Sequence, residues 1–195
     1  LLGERLGIDA DAVHWLRQIH GAEVEVVTSR RDSTTPVEPP IADAAVTAAD
    51  AAVLAVMTAD CAPIALVAGR AVAVVHAGWP GLLAGVVGAA VDALRLLADG
   101  PVSAFLGPCV HPEHYEFGAQ DLQPFVDRFG PSVESRTAWD TPAFDLPEAV
   151  HLTLREQGVE RVETVDICTF GSADHFSYRR DGTTGRQALF AWIEP

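Results

Sequence analysis

Cysteine is scarce in this chain: only Cys61, Cys109 and Cys168, well separated along 195 residues. Their scarcity excludes an extracellular disulfide framework and points to a reducing cytoplasm, while leaving thiolate chemistry open. Positive charge is scarce too. Thirteen Lys and Arg residues face 27 Asp and Glu, for a formal net charge of −14. Binding a phosphate backbone depends on cations that release counterions, so nucleic acid is excluded as a partner class. The acidity favours solubility, and an anionic substrate needs a local pocket of arginine or backbone N–H groups to work against that field. An uninterrupted membrane span is also missing. Residues 71–91 carry no Asp, Glu, Lys or Arg, but Gly78, Pro80, Gly81, Gly85 and Gly88 break the stretch and His76 sits inside it. They read as a buried strand, a turn and a buried helix, with no membrane partner. No signal peptide is visible, and the chain begins at Leu1 rather than Met, so native residues are expected ahead of it. The oligomeric state leaves no trace in the sequence.

What is present belongs to one globular domain: 49% of residues are hydrophobic and 21% charged. Residues 1–6 resemble a helix tail closed by Gly7, residues 13–19 alternate as a strand, and residues 23–28 form another. Residues 29–40, with three prolines, read as an exposed loop. Apolar runs at 53–57, 64–67 and 71–75 predict a compact β core, with a turn at Gly69-Arg70. Residues 82–98 predict one buried helix, because Leu83, Val87, Val91 and Leu94 fall at helical spacing. A strand at 102–106, a helix at 121–129, a helix capped by Asp145 and ended by Gly158, and strands at 162–167 and 187–193 complete the pattern. Strands clustered early, followed by alternating helices and strands, predict an α+β fold: mixed β-sheets flanked by helices in a layered sandwich.

Three residues carry the chemistry. His20, Cys61 and His76 each end an apolar stretch in a short turn bearing glycine or proline. Two imidazoles and one thiolate make the ligand count of a zinc site that keeps its fourth position for water or substrate. Their spacing, 41 and 15 residues, matches no local zinc-finger pattern, so the fold must bring them together. Asp60, next to Cys61, is the candidate for proton transfer. Each has a bland alternative as well: a buried cysteine that behaves as a small hydrophobe, or histidines bonded to backbone.

Several motifs taken together are highly specific. Gln18-Ile19-His20-Gly21, Thr58-Ala59-Asp60-Cys61-Ala62-Pro63, His76-Ala77-Gly78-Trp79, Gly107-Pro108 with Tyr115-Glu116-Phe117-Gly118, and Phe176-Ser177-Tyr178-Arg179-Arg180-Asp181-Gly182 with Thr184-Gly185-Arg186 resemble the laccase-domain, or YfiH-like, "polyphenol oxidase" family. The resemblance spans residues 1–193 as a single domain and implies that a further N-terminal segment precedes Leu1. It implies a zinc-dependent purine nucleoside enzyme that phosphorolyses adenosine, inosine, guanosine and methylthioadenosine and deaminates adenosine, with His20, Cys61 and His76 as metal ligands. Purine nucleoside and phosphate are then the small-molecule partners. A multicopper oxidase needs many histidines, usually in His-x-His pairs, and the seven here include no such pair. Copper is left as an adventitious occupant of a zinc site, as the general affinity order permits. Pro80 stands where the family most often has arginine, which removes a cation for phosphate. Arg17, Arg179, Arg180 and Arg186 remain as candidates for the anion, and His114 and Cys109 as further pocket residues.

Two rival functions use the same residues. In one, Cys61 is the nucleophile of a hydrolase or deamidase and His76 its base; the family's resemblance in fold to cytotoxic necrotizing factor deamidases favours it only at fold level. In the other, the chain is a non-catalytic interaction protein that retains a structural metal.

Overall fold

The computed structural model describes residue 8, residues 12–32 and residues 38–194; the helix expected at residues 1–6 and part of the loop at 29–40 lie outside them. Chain order among the described residues begins with β1 (Val13–His14), β2 (Val24–Val27), β3 (Ala44–Thr47), β4 (Val53–Thr58), β5 (Ala62–Ala68) and β6 (Ala71–Ala77). Two helices follow, α1 (Trp79–Ala84) and α2 (Val86–Leu97), then β7 (Ser103–Leu106), α3 (Ala119–Phe129), β8 (Glu134–Arg136), β9 (Pro142–Phe144) and α4 (Leu146–Glu156). The last elements are β10 (Arg161–Thr164), α5 (Tyr178–Asp181) and β11 (Gln187–Ala191).

Six strands form the central mixed sheet, in the order β10-β7-β5-β6-β3-β2, and β1-β4-β11 form a second, three-stranded sheet. Period-two alternation sorts the central strands between two cores. Ile64, Leu66, Ala73 and Val75 point with Val46 toward Val87, Val91 and Leu94 of α2. Ala45, Val72 and Val74 point the other way, onto Leu54 and Val56 of β4. Every residue of β6 is buried, because both faces of the strand are covered. Each fully buried Leu, Ile or Val side chain contributes about 1.5–3 kcal/mol relative to exposure. The result is the α+β layered sandwich expected from the pattern.

Several element boundaries differ from the sequence reading for identifiable reasons. The helix expected at 82–98 is two helices, because Gly85 adopts φ +89°, a left-handed conformation open to glycine, and resets the axis. The strand expected at 13–19 stops at His14, since the segment then leaves β4 and makes a single bridge from Arg17 to Ile41. Likewise the strand at 162–167 pairs only to Thr164. β3, half of it alanine, offers little β propensity, so the pattern of apolar runs does not reveal it. The Asp145 cap is present: its carboxylate accepts the Glu148 N–H at 2.9 Å. Among the described residues, no helix is long and apolar enough to cross a membrane.

Candidate metal centre and its cavity

The site is organised by a residue to which sequence reasoning gave no role, Asp43. It stands one position before β3, is fully buried, and accepts backbone N–H bonds from Ile19 (3.1 Å), His20 (2.9 Å) and Gly21 (2.7 Å). The His20 turn is thereby held with His20 itself at φ +62°, an uncommon backbone state that such bonds over-determine. The same carboxylate meets His76 Nδ1 at 2.8 Å. Burial pushes the Asp43 carboxyl up, but the His76 contact and the bonds from Gly21, Ile19 and His20 outweigh it and hold it below the ordinary range. With Nδ1 engaged by a carboxylate, His76 keeps Nε2 as its ligand nitrogen, the usual tautomer control behind a metal-binding imidazole. The signal in the sequence is a single acid inside the apolar run Ile41-Ala42-Asp43-Ala44-Ala45.

Cys61 arrives on the turn between β4 and β5. Asp60, at φ +92°, is pinned from three distant segments: Thr169 Oγ1 donates to its carboxylate at 2.7 Å, the Arg179 N–H at 2.6 Å, and the Val110 N–H to its carbonyl at 2.9 Å. Cys61 Sγ then lies 3.7 Å from His20 Nε2. The His20 and His76 rings are 4.7 Å apart and nearly perpendicular, and one ligand atom from each of His20, Cys61 and His76 lies within 4.8 Å of the others. Gly78 makes the approach possible, since a Cβ there would sit 2.6 Å from His20 Cδ2 and 3.0 Å from Cys61 Sγ.

Electrostatics match the geometry. Burial opposes ionisation of Cys61, but hydrogen bonds to His20 and His76 bring its pKa down to about 7. Burial also opposes protonation of His76, and Asp43 and Cys61 together raise its pKa to about 9. Thiolate plus two imidazoles, backed by a carboxylate, is a donor set that fits one zinc-class ion.

These groups open onto a cavity of about 510 Å³, also lined by Arg17, Gln18, Met57, Tyr178 and Arg186. Gln18 fixes one wall by exchanging two bonds with the Met57 backbone, at 2.8 and 2.9 Å. Other expected site residues lie elsewhere. The Asp60 carboxylate is committed to Thr169 and Arg179 and does not line the cavity, so it is placed to hold the turn rather than to reach a substrate proton. Arg180 spends its guanidinium on the carbonyls of Thr169, Phe170, Ser172 and His175 and on Asp181, which leaves it no reach to an anion. Arg179 lies over the Tyr115 ring and borders a neighbouring cleft with Trp79 and Phe117. His114 stacks on Phe170, and Cys109 is buried with its thiol pushed far up by desolvation.

The sequence matches the family described as "Multi-copper polyphenol oxidoreductase laccase" over residues 1–194. A Streptomyces coelicolor protein named a purine nucleoside phosphorylase is 44% identical over 199 aligned residues, which cover all of this chain and 80% of that one. One from Xylella fastidiosa is 40% identical, covering 98% of this chain and 76% of its own length. Among solved structures, a Neisseria meningitidis protein of family DUF152 superposes with a TM-score of 0.83 at 32% identity, covering 100% of this chain and 78% of its own. YlmD from Geobacillus stearothermophilus does so with 0.86 at 28%, with the same coverage. A match over nearly every residue, together with relatives of this identity, establishes that the chain belongs to the multi-copper polyphenol oxidoreductase laccase family, several of whose members bear the name purine nucleoside phosphorylase.

Proposed function

We propose that the chain is a zinc-dependent purine nucleoside enzyme that phosphorolyses adenosine, inosine, guanosine and methylthioadenosine and deaminates adenosine. One observation carries this reading: three donors, two of them clamped by Asp43 and the third on the turn held by Asp60, face a cavity whose walls include Arg17, Arg186 and the exposed ring of Tyr178. His20, Cys61 and His76 hold the ion. When bound, zinc supplies Lewis acidity and a fixed positive charge at the cavity floor.

The remaining work belongs to the chain. Tyr178 offers an aromatic face to the purine, and Arg17 and Arg186 offer the cations that phosphate requires in a protein of net charge −14. In this arrangement Pro80 removes a cation without emptying the site of them. Asp43 holds the His76 tautomer and the His20 turn, and Asp60 holds Cys61, so orientation is set before substrate arrives. The unpaired Cys61, Cys109 and Cys168 suit a reducing cytoplasm, where we place the protein.

A second reading rests on the thiol itself. Cys61, with its pKa near 7 and His76 beside it, has the electrostatics of a thiolate nucleophile. Metal analysis of the purified protein, with adenosine turnover followed by chromatography with and without phosphate, separates the two. Zinc-dependent release of adenine with phosphate, and of inosine without it, is the expected result. Activity that survives complete chelation and is destroyed by alkylating Cys61 favours the nucleophile. A Cys61→Ala protein that keeps both its zinc and full turnover defeats both readings.

A further inference from the structure

A second group of metal-competent side chains lies outside the cavity. After β7 the chain makes a tight helical turn, Pro112–His114, preceded by His111, and after β10 it returns with Cys168 bridged in parallel to Cys109. The donors of His111, Glu113 and Cys168 lie within 4.8 Å of one another, and His114 Nδ1 is 3.5 Å from Cys168 Sγ. One Glu113 oxygen lies 3.8 Å from His111 Nδ1 and 3.7 Å from His114 Nδ1. The two Glu113 separations are too long for hydrogen bonds. They are close to the edge of a tetrahedron around a zinc ion, which bond lengths of about 2.0–2.3 Å set at about 3.3–3.8 Å.

The surroundings prepare the donors. The His111 N–H donates to Cys168 Sγ at 3.4 Å and fixes the sulfur beside the turn. His114 is fixed by parallel stacking on Phe170, with ring centroids 4.4 Å apart. Asp166 Oδ1 lies 3.9 Å from the same His111 nitrogen and adds negative charge beside the cluster. Three of the four donors lie mutually within 4.8 Å, and His114 meets two of them, Cys168 and Glu113; a set in which protein side chains supply every position is the pattern of structural rather than catalytic sites.

We propose that His111, Glu113, His114 and Cys168 form a second divalent-cation site, of zinc class and structural role, which clasps the segment after β7 to the segment after β10. The clasp acts directly behind the metal centre. Val110, beside His111, bonds the Asp60 carbonyl, and Thr169, beside Cys168, bonds the Asp60 carboxylate, so the ion stiffens the turn that presents Cys61.

The test loads the full chain with zinc chloride, removes excess by desalting and counts metal per chain by mass spectrometry. Two equivalents are expected in the wild type and one in each of Cys168→Ser, His111→Ala and His20→Ala. Cobalt(II) in place of zinc should give thiolate charge-transfer absorption that falls by about half in Cys61→Ser and again by half in Cys168→Ser. A wild type holding one equivalent that Cys168→Ser retains overturns the proposal and leaves an ordinary polar cluster. If Cys168→Ser does not fold, alkylation of Cys168 in the His20→Ala protein decides: zinc must protect it, and labelling at the same rate with and without zinc refutes the site.

Discussion

The two His/Cys clusters draw on similar donors and are assembled in opposite ways. His20, Cys61 and His76 come from three separated points of the chain, with the Asp43 carboxylate ordering the two histidines and Asp60 the cysteine turn beside an open cavity. His111, Glu113 and His114 come from one short turn, need only Cys168 from afar, and do not line that cavity. Distant assembly lets the fold leave one side of a metal open, whereas a local turn is suited to closing around it. Reactivity should therefore divide along the same line.

The widest gap is expected between Cys61 and its buried neighbour Cys109. Alkylation of metal-free protein, followed by peptide mass, should modify Cys61 at a rate that climbs as pH rises through about 7, while Cys109 stays unmodified at pH 9 because burial holds its thiol protonated. Next is Asp43→Asn, which removes the charge behind His76 and leaves backbone N–H donors poorly matched. Zinc affinity at the His20 centre should fall about 10- to 100-fold, read by chelator competition, with little change at the Cys168 cluster. Its stability cost also has a pH signature. The folded Asp43 pKa is lowered, so the wild-type advantage is fully present above about pH 4 and disappears as pH falls through the lowered value, measurable as converging denaturant midpoints.

Smaller effects sharpen the boundary between site and scaffold. Gly78→Ala forces a Cβ against His20 and Cys61 and should weaken zinc binding at that centre about tenfold while hardly moving the melting temperature. Gly85→Ala is the converse. Its Cβ meets open space, but φ +89° strains it, so it should cost about 1 kcal/mol of stability by chemical denaturation and leave metal content untouched.

The sequence made the reactive side chains legible and left their supports hidden. His20, Cys61 and His76 stood out because their residue types and flanking turns are unusual for an apolar core, and the fold brings them together. Asp43 is the harder case: a lone acid in an apolar run marks the position as unusual but not as a clamp, because its partners lie more than twenty residues away on either side. Arg180 misled for the matching reason. An arginine in a polar segment reads as a free cation, and only the folded chain reveals the carbonyls it satisfies. The layered sandwich followed from the spacing of apolar runs, but the break at Gly85 did not, since apolar residues on both sides still fit one helical pattern.

The hold on Asp60 has a temporal consequence. All three donor side chains of the main cluster have been translated by residue 76, yet the Thr169 and Arg179 contacts reach back across 109 and 119 residues. Tyr178 and Arg186, translated long after His76, complete the wall. A nascent chain thus carries its donor side chains long before it owns a chamber, whose walls are complete only once residue 186 has been added.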